Sequence, residues 1–158
     1  MVTVNLHKDY PEIWSILEQV PDPEIPVINL VELGVIRDVK KEGSKLIVTI
    51  TPTYTGCPAK KLFEDLIIEE LKKNGFDEVE IINQLSPAWT TDWLSQETRQ
   101  KMMDEGISPP TDNDAVVKCP NCGSDNTKMV SRYGSTPCQS FHSCNDCMEP
   151  FNYFKCHR

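Results

Sequence analysis

The sequence predicts an α+β protein in three parts. A compact two-layer domain, a three-stranded sheet with helices, spans residues 1–107; a linker spans 108–114; a small zinc-ribbon-like module spans 115–158. Three observations predict this. Over the first hundred residues the apolar spacing switches between helical and alternating periods, in the order helix, strand, strand, helix, strand, helix. Ser108-Pro-Pro-Thr-Asp-Asn-Asp114 is polar, carries two prolines and has no period. Six of the seven cysteines then fall in the last 40 residues, four of them as two Cys-x-x-Cys pairs.

The first helix is expected after Asp9, its N-cap, with Pro11 in the first turn and Glu12 reaching back. Ile13, Ile16, Leu17 and Val20 supply the apolar stripe, and Trp14 lies beside it. Pro21 and Pro23 end the helix. Asp22-Pro-Glu-Ile-Pro26 is a stiff turn carrying two carboxylates. Asp22 either caps the backbone at Asn29-Leu30-Val31 or, with Glu24, serves as a hard oxygen ligand beside a later loop. Gly34 turns the chain into a strand over Val35–Val39. Lys41-Glu-Gly43-Ser marks a hairpin, and Lys45–Thr51 is its return strand.

The loop Thr51-Pro-Thr-Tyr-Thr-Gly-Cys-Pro58 joins that strand to a helix running from about Pro58 to Lys73, with Leu62, Leu66, Ile67 and Leu71 as its inner face. Asn74-Gly75 closes it, with Lys72 and Lys73 in the last turn. Cys57 therefore sits at a strand-to-helix turn, beside backbone N–H groups and the positive end of a helix. Both favour thiolate over thiol. Val79, Ile81 and Leu85 are spaced as a third strand. Ser86–Trp93 is a loop, and Ser95 caps a helix ending before Gly106, in which Met102 and Met103 read as core fillers rather than thioether ligands.

In the tail, Cys119-Pro-Asn-Cys122 and Cys144-Asn-Asp-Cys147 are separated by 21 residues. Each pair can chelate through a tight turn, with Gly123 tolerating positive φ. Four thiolates suit a structural Zn²⁺ with no open position, and iron is the second choice. A module of this size needs such a staple, since its own core is too small. Met129–Tyr133 and Phe151–Phe154 read as ribbon strands. Cys138 and Cys156, with His142 and His157 nearby, are each a substitute ligand, a buried small hydrophobe or an unmodified thiol. Spacing also leaves room for an iron–sulfur cluster.

Charge narrows the function. The 158-residue chain carries a net charge of -8, all of it before residue 109; the tail holds five cations and five anions. Neither part has the basic excess of a nucleic-acid binder. No apolar run approaches a membrane span, and no basic start precedes an apolar core, so a cytoplasmic protein is expected. The chain lacks the paired Glu-x-x-His of a di-iron bundle, a dinucleotide fingerprint and ferredoxin cysteine spacing.

Asp22-Pro-Glu-Ile-Pro, Asn29-Leu-Val-Glu-Leu-Gly-Val-Ile36, Thr51-Pro-Thr-Tyr-Thr-Gly-Cys-Pro58 and Pro87-Ala-Trp-Thr-Thr-Asp-Trp93 together resemble the MIP18 (DUF59) family of iron–sulfur assembly proteins. With the cysteine-rich tail ending Glu149-Pro-Phe-Asn-Tyr-Phe-Lys-Cys156, the chain is similar to the branch that accompanies phenylacetyl-CoA epoxidases in aerobic phenylacetate degradation. The resemblance implies an accessory role around an oxygenase and its reductase, which would be the partners. One loop thiol per chain suits a labile site, or one bridged in a homodimer. On this reading Cys57 holds iron or an iron–sulfur cluster in transit, Asp22 and Glu24 are nearby oxygen ligands or proton acceptors, and the ribbon docks partners. The alternatives are a purely structural, partner-binding subunit and a Cys57-dependent enzyme acting on a CoA thioester. The last lacks a positioned base: outside the tail the only histidine is His7.

Overall fold

The computed structural model describes residues 9–53, 60–111, 116–136 and 138–155. The chain divides into two compact units, Met1–Trp89 and Thr90–Arg158.

In the first unit, α1 (Pro11–Leu17), β1 (Ile36–Glu42), β2 (Lys45–Ile50), α2 (Lys60–Lys73) and β3 (Val79–Asn83) follow in order. The sheet order is β1-β2-β3; β1 runs antiparallel to β2, and β3 parallel to it. The β1–β2 hairpin needs only the short turn at Gly43, where φ is 62°. The parallel β2–β3 pair needs a crossover, which α2 supplies. β2 is central, and Leu46, Ile47, Val48 and Ile50 are buried. Each such side chain is worth about 1.5–3 kcal/mol of transfer free energy.

Details of the helices differ from the expectation. The residue before α1 is Tyr10, in a left-handed conformation (φ 60°) with no side-chain cap, so Asp9 is not the cap. α1 is only seven residues long, and Trp14 is 2% exposed, in the core rather than at its edge. On α2 the buried face is Phe63, Ile67 and Leu71, while Leu62 is 45% exposed. Gly75 (φ 94°) ends α2, and the Phe76 N–H returns to the Leu71 carbonyl at 3.0 Å. β3 is an edge strand with mostly exposed side chains, and Leu85 lies outside it, 57% exposed. Trp89 is buried and donates from Nε1 to the Leu33 carbonyl at 2.8 Å.

In the second unit, a 3₁₀ turn (Thr91–Trp93) precedes α3 (Gln96–Asp104), β4 (Ile107–Ser108), β5 (Thr127–Ser131), β6 (Gln139–Cys144) and β7 (Pro150–Phe154). Ser95 caps α3, its Oγ accepting the Thr98 N–H at 3.0 Å, and Met102 is fully buried. The sheet order is β4-β7-β6-β5. β4 pairs parallel with β7, so Ile107 and Ser108 belong to the ribbon's sheet and α3 groups with the ribbon. Of the stretch read as a linker, Ser108 and Pro110 are buried. The Thr111 N–H donates to the Tyr153 hydroxyl at 3.1 Å. Residues 112–115 lie outside the described residues. No helix among the described residues is long and apolar enough to cross a membrane.

Candidate metal centre and the acidic turn

Two knuckles build the metal centre. In the first, the Gly123 N–H donates to the Cys119 carbonyl and the Cys119 N–H to the Ser124 carbonyl, both at 2.9 Å. In the second, the Asp146 and Cys147 N–H groups point at the Cys144 Sγ, at 3.4 and 3.5 Å. The residue after each pair has positive φ, 77° at Gly123 and 66° at Met148. Met148 thus takes the conformation that glycine supplies in the first knuckle, with its side chain 74% exposed.

Contacts between the knuckles hold them face to face. Asp146 accepts from the Ser124 hydroxyl and, at 3.0 Å, from the Asn126 carboxamide; the Asn145 N–H reaches the Asn126 carbonyl at 2.9 Å. The Ser124 and Asn126 donors hold the Asp146 carboxyl below its usual range. Such outer contacts orient metal ligands.

The four sulfurs of Cys119, Cys122, Cys144 and Cys147 lie within 4.8 Å of one another, and the Cys119–Cys147 and Cys122–Cys144 pairs are 3.6 Å apart. Four ligands about 2.3 Å from a tetrahedral Zn²⁺ stand about 3.8 Å from each other, so the donor set fits a single ion. A two-iron cluster would spread the sulfurs into two separated pairs, which this geometry does not do. The protons are unequally held. The Asn121 carboxamide and then the Glu149 N–H draw Cys147 down to about 6. At Cys122 the Ser124 N–H favours the thiolate, but desolvation and the neighbouring sulfurs outweigh it and push the thiol up to about 12. Four sulfurs this close cannot all be ionised without a cation among them. Cys119, Cys144, Val117, Phe151 and Tyr153 form the surrounding core. An ion bound by these four sulfurs would share one site with this small core.

Cys138 is not part of this cluster: its sulfur is buried and lies 3.0 Å from the Thr136 hydroxyl. His142 is also elsewhere, with Nε2 2.7 Å from the Ser140 Oγ. Cys156 and His157 lie outside the described residues, as do His7 and Cys57.

The acidic turn is built locally. Asp22 is 4% exposed, and its Oδ1 accepts the N–H groups of Glu24 and Ile25, each at 2.7 Å. It does not cap Asn29-Leu30-Val31. Asn29 does that in exchange with Glu32: the Glu32 N–H donates to the Asn29 carboxamide oxygen at 2.8 Å, and the Asn29 N–H to the Glu32 carboxylate at 3.1 Å. Burial raises the Asp22 carboxyl above its ordinary value, against the two N–H donors that lower it, and the nearby Glu24 charge adds to the rise. Glu24 is half-buried. Thr51 and Thr53, which follow β2, are buried. Among the described residues the Thr51 hydroxyl has no hydrogen-bond partner.

Comparison with known proteins agrees with this two-part construction. An iron–sulfur cluster assembly family model matches residues 11–81, and a PaaD zinc beta ribbon model matches residues 105–155. The chain is 44% identical over 151 residues to a putative component of the 1,2-phenylacetyl-CoA epoxidase of Escherichia coli K-12, covering 92% of each. A domain of unknown function DUF59 from Bacillus anthracis is 26% identical, with a TM-score of 0.53, over 58% of this chain and 89% of that one. A conserved hypothetical protein from Thermotoga maritima is 27% identical, with a TM-score of 0.50, over 59% and 92%. An assembly-type α+β domain joined to this four-cysteine ribbon, with that identity along nearly the whole chain, makes the protein a member of the PaaD family within the DUF59 group.

Proposed function

We propose that this chain is an accessory and maturation subunit of a phenylacetyl-CoA epoxidase system. In this reading it helps iron or an iron–sulfur cluster reach the oxygenase or its reductase through Cys57, without turnover of its own. The observation that carries it is the division of the cysteines. Four gather within reach of one ion in the ribbon, while the stretch matching the iron–sulfur assembly family keeps a single thiol, Cys57, between β2 and α2 in sequence. A lone thiolate is a poor permanent cage for a cluster but a good temporary ligand. Its bond to iron breaks as a partner's thiolate forms one, so the exchange needs no electrons. Asp22 shapes the acidic turn from within, and the half-buried Glu24 offers the carboxylate that would serve as an oxygen ligand. The ribbon, held by zinc, presents a docking face to the oxygenase or reductase.

The partner-binding reading without metal transfer draws on the exposed Met129, Val130, Tyr133 and Met148 of the ribbon. One experiment separates the two. In cells carrying Cys57→Ala, the purified oxygenase and reductase should lose at least about fivefold of their iron, while the variant keeps one zinc per chain. Normal iron in both partners would leave only the docking role. A CoA-thioester reaction at Cys57 finds no support in the described part of the first unit, which contains no histidine to act as base.

A further inference from the structure

The ribbon's sheet carries a cavity that the metal does not use. β6 and β7 pair with Ser140 opposite Tyr153, and β5 sets Met129 opposite His142. Because alternate residues of a strand share a face, Ser140 and His142 project together, as do Tyr153 and, just past the strand, Lys155. These side chains enclose a cavity of about 310 Å³ with Val117, Arg132 and Tyr133.

Its floor is polar and fixed. Ser140 and His142 are 1% and 4% exposed, and the imidazole is held by its bond to the serine. The ring stacks on Phe151 at 5.8 Å between centroids and meets Tyr153 edge-on at 5.4 Å. The walls are apolar and aromatic. The rim is cationic: Lys155 donates from Nζ to the Arg132 carbonyl at 3.0 Å and sits 4.9 Å from the centre of the Tyr133 ring. An ammonium has three N–H donors, and this carbonyl uses one. Among the described residues no carboxylate lines the cavity. In a chain of net charge -8, a concavity whose charged groups are both positive concentrates anions against the general field.

We propose that this cavity binds a small organic anion, a carboxylate with a planar apolar body. The carboxylate sits at the Arg132–Lys155 rim, and the body lies against Tyr133, Met129 and Val117 and reaches toward the Ser140 hydroxyl. The volume is at the small end of ligand pockets, which fits a compact acid and excludes a nucleotide-sized one. The site is independent of Cys57 and of any iron transfer.

The test is an amide-resolved NMR titration of the full zinc-loaded chain with phenylacetate, its neutral amide and inorganic phosphate. Phenylacetate should cause saturable shifts centred on Met129, Tyr133, Ser140 and His142. The amide should bind at least about fivefold more weakly, and phosphate should give no saturable shift in the same range. The double variant Arg132→Gln/Lys155→Gln, with its zinc retained, should weaken phenylacetate binding at least about tenfold. Should that variant lose zinc, Tyr133→Ala, at a side chain 67% exposed, is judged by the same criterion. Several results overturn the proposal: no saturation by about 10 mM acid, equal binding of acid and amide, phosphate matching the acid, or a variant that binds like the parent.

Discussion

At Asp22 one carboxylate oxygen serves two backbone N–H groups within a turn that hides the side chain. Removing that acceptor in Asp22→Ala leaves two donors unmet and should cost the first unit about 1–3 kcal/mol, read from urea denaturation. Asp22→Asn keeps the oxygen and removes the charge. Because burial raises the folded carboxyl above 3.8, the folded chain holds this proton where the unfolded chain has lost it. The stability that the protonated group confers is complete below the unfolded value and is lost as pH rises through the folded one. Asp22→Asn should therefore flatten the stability–pH curve in that window, and at neutral pH it should be no less stable than the parent. A curve unchanged by Asn would show that Asp22 titrates as an ordinary carboxyl. The spacing of Asp22 and Glu24 displays two acids; only burial shows that one of them is committed to its own turn.

At the scale of elements, α2 shows how a helix chooses its inner face. Leu62, Leu66, Ile67 and Leu71 and the set Phe63, Ile67 and Leu71 are both helical stripes, their centres about 50° apart in rotation. The fold takes the second, burying Phe63 to 2% and leaving Leu62 at 45%. Phe63→Ala should cost about 3–5 kcal/mol by chemical denaturation, and Leu62→Ala no more than about 0.5 kcal/mol. Equal costs would mean that α2 is rotated from this position. β6 is illegible in the sequence for a related reason. Its buried residues include Gln139, Ser140, His142 and Cys144, so no apolar alternation announces a strand. Pairing on both edges, to β5 and β7, makes it an inner strand of the sheet. Gly134, in the loop before it, makes room for the Asn152 carboxamide: a Cβ there would push that side chain from its place, where its oxygen accepts the Ser135 N–H.

For the whole molecule, the two units rest on different sources of stability. The first has a hydrocarbon core around β2, α1 and α2; the second has a small core and four sulfurs. Zinc binding to modules of this kind is worth on the order of 10 kcal/mol and is released as folding energy. Stripping the metal with a chelator should therefore remove hydrogen-exchange protection from β5, β6 and β7, while β1, β2 and β3 keep theirs; ribbon amides that stayed protected would show a core sufficient without metal. The sequence by itself determined the α+β class, the order of helices and strands as far as α3, the hairpin, the Ser95 cap and the four ribbon cysteines, because period, turn chemistry and Cys-x-x-Cys spacing act over a few neighbouring residues. Tertiary structure decided which stripe of α2 is inside, that Trp14 and Asp22 are buried, that Ile107 and Ser108 join the ribbon's sheet, and that Cys138 stands apart from the four-sulfur cluster. Those outcomes depend on strand register and on competition for buried space between residues far apart in the chain, which no local pattern encodes.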